Sequence, residues 1–435
     1  CTVPAMTAED LVTAPDAALP DAPLPLWRNR PYTLLQTGKT AHVIGVGVGA
    51  FAIPLLAYQV TGSVAQAGLI AAVGELGALA ATLPGGVVAD RVDRRRIILI
   101  ASLAGALVWV VLAASWWSGT LTGWQLALAL FGSSVAAVFA NPAETGAIRS
   151  VVPSEQLGTA MAVVQGRHAL AGLIAGPLGG FLYGVGHAIP LLASAIGHLA
   201  MAGATGLVRE SLNGDLKAAR ATRPMAALLE GLRFVWQVPF FRLSLGLFML
   251  VNVALAGLIT TINLELVQQG VAPLLIGVLD LVAGVVMILG ALAAGRILRR
   301  VPLGLIVVAG LGLAGLGAAG MALLHSYPGY LAMLAVAVAL IPVINAGLGG
   351  YTLAITPAQL QGRASSVLGL TGFLAAPIAP VVGSALLAGA GVEVALWSFA
   401  GGILVVTAVL ACLPVLRRVG TPDTWSRDVI AWPPG

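Results

Sequence analysis

The sequence predicts an all-α integral membrane protein, with twelve transmembrane helices in two pseudo-symmetric six-helix bundles. Three observations carry this reading. The 435 residues are 59% hydrophobic and only 9% charged, whereas ordinary soluble domains carry roughly 25% charged residues. Apolar runs of the ~20 residues that cross a bilayer as a helix recur along nearly the whole chain, broken by short polar or charged spacers. Lysine and arginine sort by the parity of those spacers. A β-barrel is excluded, because its strands would read as short alternating segments.

The expected helices cover residues 34–59, 64–88, 97–116, 122–146, 157–183, 188–208, 241–266, 271–294, 302–324, 328–353, 364–388 and 393–416. The first contains Gly38-Lys39-Thr40, a triplet that could end a phosphate-binding loop. That loop needs a second glycine five residues earlier, a buried strand before it and a soluble helix after it. Position 33 is Thr, and an apolar stretch reaching Gln59 follows. The triplet is therefore read as the start of a membrane helix, with Lys39 snorkelling to the inner headgroups.

The two bundles are expected over residues 28–208 and 241–418. Residues 1–27 read as a disordered cytoplasmic tail, since 1–25 are polar with no apolar run, so neither a signal peptide nor a fold is expected there. Met6 is the expected natural start. Residues 209–240 form a cytoplasmic linker and 419–435 a cytoplasmic tail. Within the linker, Leu228, Leu229, Leu232, Val235 and Trp236 fall on one side of a helix, which lies either in the headgroup layer or against neighbouring helix ends.

Arg28 and Arg30 precede helix one, Arg91, Arg94, Arg95 and Arg96 follow helix two, and Arg149 ends helix four. Arg296, Arg299 and Arg300 follow helix eight, while Arg417 and Arg418 follow helix twelve. The intervening connections, such as "SWWSGTLTGW" and "AGAGVEV", hold no Lys or Arg, so both termini are placed in the cytoplasm. The pI near 9.6 reflects this inner-face bias and is no argument for nucleic acid. Arginine outnumbers lysine twenty to two and Ala and Gly abound, which points to a high-GC bacterium and its plasma membrane. Cys1 and Cys412 are too far apart in the chain for a paired-cysteine metal site, and neither a metal nor a cofactor is expected. An intramembrane enzyme is disfavoured, since no His-Glu-xx-His or Gly-x-Ser-x-Gly motif occurs.

The halves repeat each other. "GGVVADRVDRRR" (85–96) aligns with "GALAAGRILRRV" (290–301) at an offset of 295 − 90 = 205, and "VVPSEQLGTA" aligns with "ITPAQLQGRA" at 357 − 153 = 204. A duplicated bundle is the architecture in which a midplane cavity alternates its access.

These residues resemble the major facilitator superfamily. Gly86, Asp90, Arg91, Arg94 and Arg95 are similar to its signature loop between the second and third helices. "EGLRFVW", the "TGS" at 61–63 and the "VP" before helix five are similar to its siderophore and drug exporter branch. "GLIAGPLGG" (172–180) is similar to the glycine stretch of proton-coupled exporters. Two departures stand out: the second half has Gly295 where the acid would be, and helix four lacks the intramembrane arginine motif of many drug antiporters. Their coupling scheme therefore does not carry over.

Asp90 at the C-terminal end of helix two opposes the helix dipole and needs a positive neighbour. Arg91, Arg94 or the free amides near Ser365 at the start of helix eleven would serve, and Gly86 would let the helices approach. The expectation is a latch that stabilises the outward-open state; the plainer alternative is a positive-inside anchor. Gly172, Gly176 and Gly180, with Gly179 beside them, give helix five one smooth face, and Pro177 bends it. This is either close packing or a hinge where the halves meet.

Charges at mid-depth are expected to carry function, because an ionised side chain there costs several kcal/mol. Glu75 and Asp280 are repeat equivalents (280 − 75 = 205), as are Asn141 and Asn345 (345 − 141 = 204). At least one of the two acids is expected to exchange protons, with Arg167, beside His168, as the cation whose pairing alternates. The alternative is a static pair between Arg167 and one of those acids. Glu144, near the inner end of helix four, is a further candidate, whereas Glu265 and Glu393 are expected to be solvated.

The expected function is secondary active export of a small amphiphilic compound, such as a drug, natural product or siderophore, driven by proton influx. Its partners are that substrate, protons and the lipid bilayer, and the chain is expected to be a monomer. An uptake permease or lysolipid flippase of the same fold is the alternative, with a non-transporting receptor or intramembrane enzyme well behind.

Overall fold

A computed structural model describes residues 25–213, 232–357, 360–428 and 430, apart from the side chains of 83, 86, 87, 89, 90, 362–366, 370 and 371. Among the described residues the secondary structure is helical throughout, with no strand. The N-terminal half contains α1 (Arg30–Thr61), α2 (Val64–Arg91), α3 (Arg94–Trp117), α4 (Gly123–Val151), α5 (Leu157–Val185) and α6 (Ile189–Leu207). The C-terminal half contains α7 (Pro239–Gln268), α8 (Pro273–Leu298), α9 (Leu303–Leu324), α10 (Tyr327–Val338), α11 (Ile341–Ile355), α12 (Gln361–Cys412) and the short α13 (Pro414–Arg417).

Local chemistry sets the helix ends. Asn29 Oδ1 accepts from the Tyr32 amide at 3.2 Å to start α1, and Gly62, in the left-handed region at φ 65°, ends it. Thr122 and Gln125 form a capping box at the start of α4. Between these caps the helices are apolar on all sides, as lipid requires. On α3, Ile100, Leu103 and Leu107 are exposed along one stripe while Ile98, Trp109 and Ala113 are buried on another. The exposed stripe is the lipid face.

Among the described residues, eleven helical stretches are long and apolar enough to cross a membrane. One of them makes two crossings. Helix α12 runs for 52 residues with a single non-helical residue, Gly391, at φ 84° and ψ 169°, and at about 1.5 Å per residue that exceeds twice the ~30 Å hydrocarbon core of a bilayer. Leu360 and Val367 near its start share one core cluster with Val406 and Leu410 near its end. The chain therefore reverses at Gly391, and the two expected helices are joined by one residue in place of the expected connection. Expected helix ten differs too: it is broken into α10 and α11 at Leu340, with Pro342 in the first turn of α11.

Gly391 occupies a backbone region that essentially only glycine adopts. Gly391→Val is expected to destabilise the protein by about 1–3 kcal/mol. Gly389→Ala, at a position with open space around it, is expected to change little; thermal unfolding of the detergent-purified protein distinguishes them.

The end of the bundle expected to be cytoplasmic is called the inner end. At the outer end the halves share a core, in which Leu264 and Leu387 pack with Leu55, Leu126 and Leu191. At the inner end each apolar cluster draws on one half alone: Leu35, Ile98 and Met201 in one case, Phe241, Val307 and Ile355 in the other. A methyl added at Gly158, Gly166 or Gly172 on α5, or at Gly369 or Gly372 on α12, would meet nothing within 4 Å. The halves close at the outer end and part toward the inner one.

A clamp ties the inner ends of the N-terminal half to the segment after α6. Arg94 Nη1 donates to the carbonyls of Gly146 (3.1 Å) and Leu212 (3.2 Å), and Arg95 Nη2 donates to that of Glu210 at 2.8 Å. Asp93 accepts from the Arg96 amide at 2.9 Å and from Asn213 Nδ2 at 2.7 Å. The Asn213 amide, followed by that backbone amide and the nearby arginines, holds the Asp93 carboxyl below its usual range. Its contribution is complete above the ordinary Asp value of about 4 and fades as pH falls through the lowered one.

In the linker, Leu228 and Leu229 lie outside the described residues. Residues 232–237 are helical. Phe234 and Val235 are buried in the C-terminal core while Leu232 and Trp236 are exposed, so the single stripe expected for Leu232, Val235 and Trp236 is divided between two faces.

Candidate functional site

A polar cluster lies inside the N-terminal half, between α1, α4 and α5. Lys39, on α1, is buried and forms an ion pair with Glu144 of α4, which is also buried. Lys39 Nζ also donates to Asn141 Oδ1 at 3.2 Å. This corrects the snorkelling expected of Lys39. It lies nine residues into α1, about 13 Å from the helix start, and the carboxylate of Glu144 supplies the counter-charge that a buried ammonium requires.

Arg167, on α5, is buried and donates from Nη1 to Gln36 Oε1 of α1. It pairs with neither Glu75 nor Asp280, so the alternative of a static pair with one of those acids is not formed. Its Nε, like Gln36 Nε2, is buried without a hydrogen-bond partner. Lys39, Asn141, Glu144, Thr145, Arg167 and His168 line one cavity of about 240 Å³. Asn141, Thr145 and His168 are exposed at its rim. Beside it, His42 and His198 meet edge to face at 4.5 Å, and Ser194 Oγ donates to the Gly45 carbonyl at 2.8 Å. Gln36 and His198 belong to no motif, and nothing in the sequence marks them as part of this cluster.

The C-terminal half holds a matching cavity of about 520 Å³ between α7, α11 and α12. Asn345, the equivalent of Asn141, lines it. The charged positions are replaced: Ser244 corresponds to Lys39 (244 − 39 = 205) and Leu348 to Glu144 (348 − 144 = 204). Phe240, Phe241 and Phe248 complete its wall. One half thus carries a charged pair where the other carries a serine and a leucine beside an aromatic wall.

Asp280 sits where the halves touch. A methyl built on Gly176 would lie 2.7 Å from Asp280 Oδ2 and 2.9 Å from the Gly277 carbonyl oxygen. Gly180 meets the backbone of Pro273 and Leu274 in the same way, and Gly68 of α2 meets Ser384 and the Pro380 carbonyl of α12. Gly179 instead faces Phe51 of α1, and Gly172 faces open space, so the expected smooth glycine face divides into separate surroundings. Pro177 lies within the helical span of α5. Glu75 is exposed, two turns from Gly68 on the α2 face directed at α12. Among the described residues neither Glu75 nor Asp280 has a hydrogen-bond or ion-pair partner. The side chains of Gly86, Asp90 and Ser365 lie outside the described residues; Arg91 is half-buried at the end of α2, and Arg94 and Arg95 bind the carbonyls named above. Glu265 accepts from Gln269 Nε2 at 2.7 Å on the surface, and Glu393 is exposed.

Known proteins share this arrangement of helices. The family model described as Major Facilitator Superfamily matches residues 40–360. The multidrug efflux pump Tap of Mycobacterium tuberculosis, like that of Mycobacterium bovis, is 28% identical over 417 residues, covering 89% of this chain and 94% of Tap. The nucleoside transporter NupG superposes with a TM-score of 0.71 at 12% identity, over 90% of this chain and 99% of that one. A bacterial homolog of the human lysosomal transporter Spinster, inward-facing and occupied, gives 0.69 at 16% identity, over 92% and 97%. The two solved structures share the fold.

Proposed function

The chain belongs to the Major Facilitator Superfamily, and from that premise we propose that it is a proton-coupled exporter of a small amphiphilic compound, working by alternating access in a bacterial plasma membrane with both termini cytoplasmic. The carrying observation is the pairing of an unpartnered carboxylate with the contact between halves: Asp280 lies against Gly176 where the two bundles close at the outer end. The relation to Tap supports export of a drug-like compound.

The chemistry follows from the cost of burying charge. A neutral Asp280 packs against the α5 backbone at little cost, so the protonated carrier closes its outer end and opens inward. Ionised Asp280 favours separation at that contact and hence the outward-open state. A proton taken from the outside and released inside then drives the cycle in the export direction, and Glu75, its repeat equivalent, provides a second exchangeable site at similar depth. The Asp90 loop, with Gly86, Arg91, Arg94 and Arg95, latches the inner end in the outward-open state, and Pro177 with its neighbouring glycines is the pivot.

Inverted vesicles test this directly. A compound panel scored for accumulation under an inside-acid gradient should yield at least one substrate whose uptake collapses on adding a protonophore. Asp280→Asn, which mimics the neutral form, should cut that uptake by at least about tenfold, equivalent to about 1.4 kcal/mol. Proton-driven uptake unchanged in both Asp280→Asn and Glu75→Gln would remove the coupling mechanism.

A further inference from the structure

We infer that the cavity between α1, α4 and α5 holds an anion, so that the substrate carries one carboxylate- or phosphate-like head on an apolar body. This deepens the export reading and rests on it for the word substrate. The charge inventory of the cavity carries the inference. Lys39 and Glu144 neutralise each other in their ion pair, with Asn141 as a further acceptor for the lysine. Among the described residues Arg167 has only the neutral Gln36 oxygen as hydrogen-bond acceptor. The walls therefore keep one positive charge in excess, on a side chain that is 92% buried, its relative exposure being 8%.

The orphaned atoms agree in sign. Arg167 Nε and Gln36 Nε2 are both donors, both buried and both without a hydrogen-bond partner. A buried donor without an acceptor is costly, and a carboxylate or phosphate oxygen removes that cost while matching the planar fork of a guanidinium. A cationic head would meet the excess charge of Arg167, and a neutral donor would leave these atoms unsatisfied. With about 240 Å³ the cavity accommodates a small head and little more.

The matching cavity on the other side of the repeat supplies the rest. Its Ser244 and Leu348 replace the charged pair, and Phe240 and Phe248 line it in about 520 Å³. That surface suits an apolar tail or ring system. The divergence of the two halves at these equivalent positions thus assigns the head to one half and the body to the other.

The full chain in phosphatidylcholine nanodiscs, with no gradient applied, tests the inference by binding alone. The probes are dansylaminoundecanoate, its primary amide and the corresponding dansyl alkylamine. The acid is expected to bind at least about tenfold more tightly than either analogue, the scale of a single charge-assisted contact. Arg167→Gln should remove that preference, with a thermal unfolding midpoint close to wild type reporting an intact fold, and Arg167→Lys should keep part of it. Phosphatidylglycerol in the disc separates two sources of the same chemistry: competition with the acid identifies a lipid headgroup as occupant, and its absence identifies a free amphiphile. Equal binding of acid and amide, tighter binding of the amine, or an Arg167→Gln variant that keeps the preference overturns the inference. Because no transport is measured, failure of proton-driven export leaves this result standing, and the reverse also holds.

Discussion

Gly277→Val is expected to abolish transport by wedging the outer contact open. A methyl on Gly277 would collide with the carbonyl carbon and oxygen of Gly176 and lie 2.7 Å from Pro177 N. All three are backbone atoms, so no side chain can rotate away and one helix must retreat. The state that closes at the outer end loses several kcal/mol relative to the one that opens there, and a loss of about 3 kcal/mol already shifts the balance more than a hundredfold. Gly172→Val on the same α5–α8 layer is the control, because nothing lies within 4 Å of its added methyl. The measurement is maleimide labelling of a cysteine placed at exposed Asn141, in a background with Cys1 and Cys412 replaced by serine. Labelling from the cytoplasmic side should fall sharply in Gly277→Val and persist in Gly172→Val. Persistent labelling in Gly277→Val would show that the outer contact does not govern inner access.

The second large effect concerns the buried ion pair, and it has a direction. Glu144→Gln leaves Lys39 and Arg167 as two cations in one cavity with no carboxylate between them, and should destabilise the protein by about 3–5 kcal/mol. Lys39→Met leaves Glu144 within the field of Arg167, which can take over as its partner, so the cost should be less than half as large. The double variant should recover most of the loss, because no unpaired carboxylate or second cation remains. Denaturant unfolding of the purified protein measures all three. Equal costs for the two single variants would mean that Arg167 does not compensate Glu144.

Much of this fold is legible in the sequence because lipid offers no hydrogen bonds. Each crossing must satisfy its own backbone as a helix, so an apolar run of sufficient length suffices to identify it. The two departures arise from backbone geometry that composition does not report. Gly391 lies in the stretch read as a connection, yet one residue in a backbone conformation open to glycine makes the whole reversal. The break at Leu340 lies inside a continuous apolar run, and only Pro342 hints at it.

The site is legible in depth but not in partnership. Lys39 lies nine residues from the start of α1 and Glu144 seven from the end of α4, so their similar depth follows from counting. Which faces of α1 and α4 meet depends on the rotation of each helix, which weak amphipathicity leaves unspecified. Gln36 gives no signal at all, since an uncharged amide near a helix start is ordinary. Gly176 and Asp280 each stand out alone, one as part of a glycine ladder and one as a mid-depth acid. Their contact depends on how the two bundles dock, which no periodicity within either helix encodes.

On the proposed mechanism a proton on Asp280 is exchanged for substrate across the contact between the halves. This exchange is tested most directly in liposomes containing only this protein, with an inside-acid gradient followed by a pH-sensitive dye while a transported compound is added outside. Substrate is expected to dissipate the gradient with the wild-type protein and to leave it intact with Asp280→Asn. Substrate uptake with no proton movement, or equal dissipation by the variant, would contradict that mechanism.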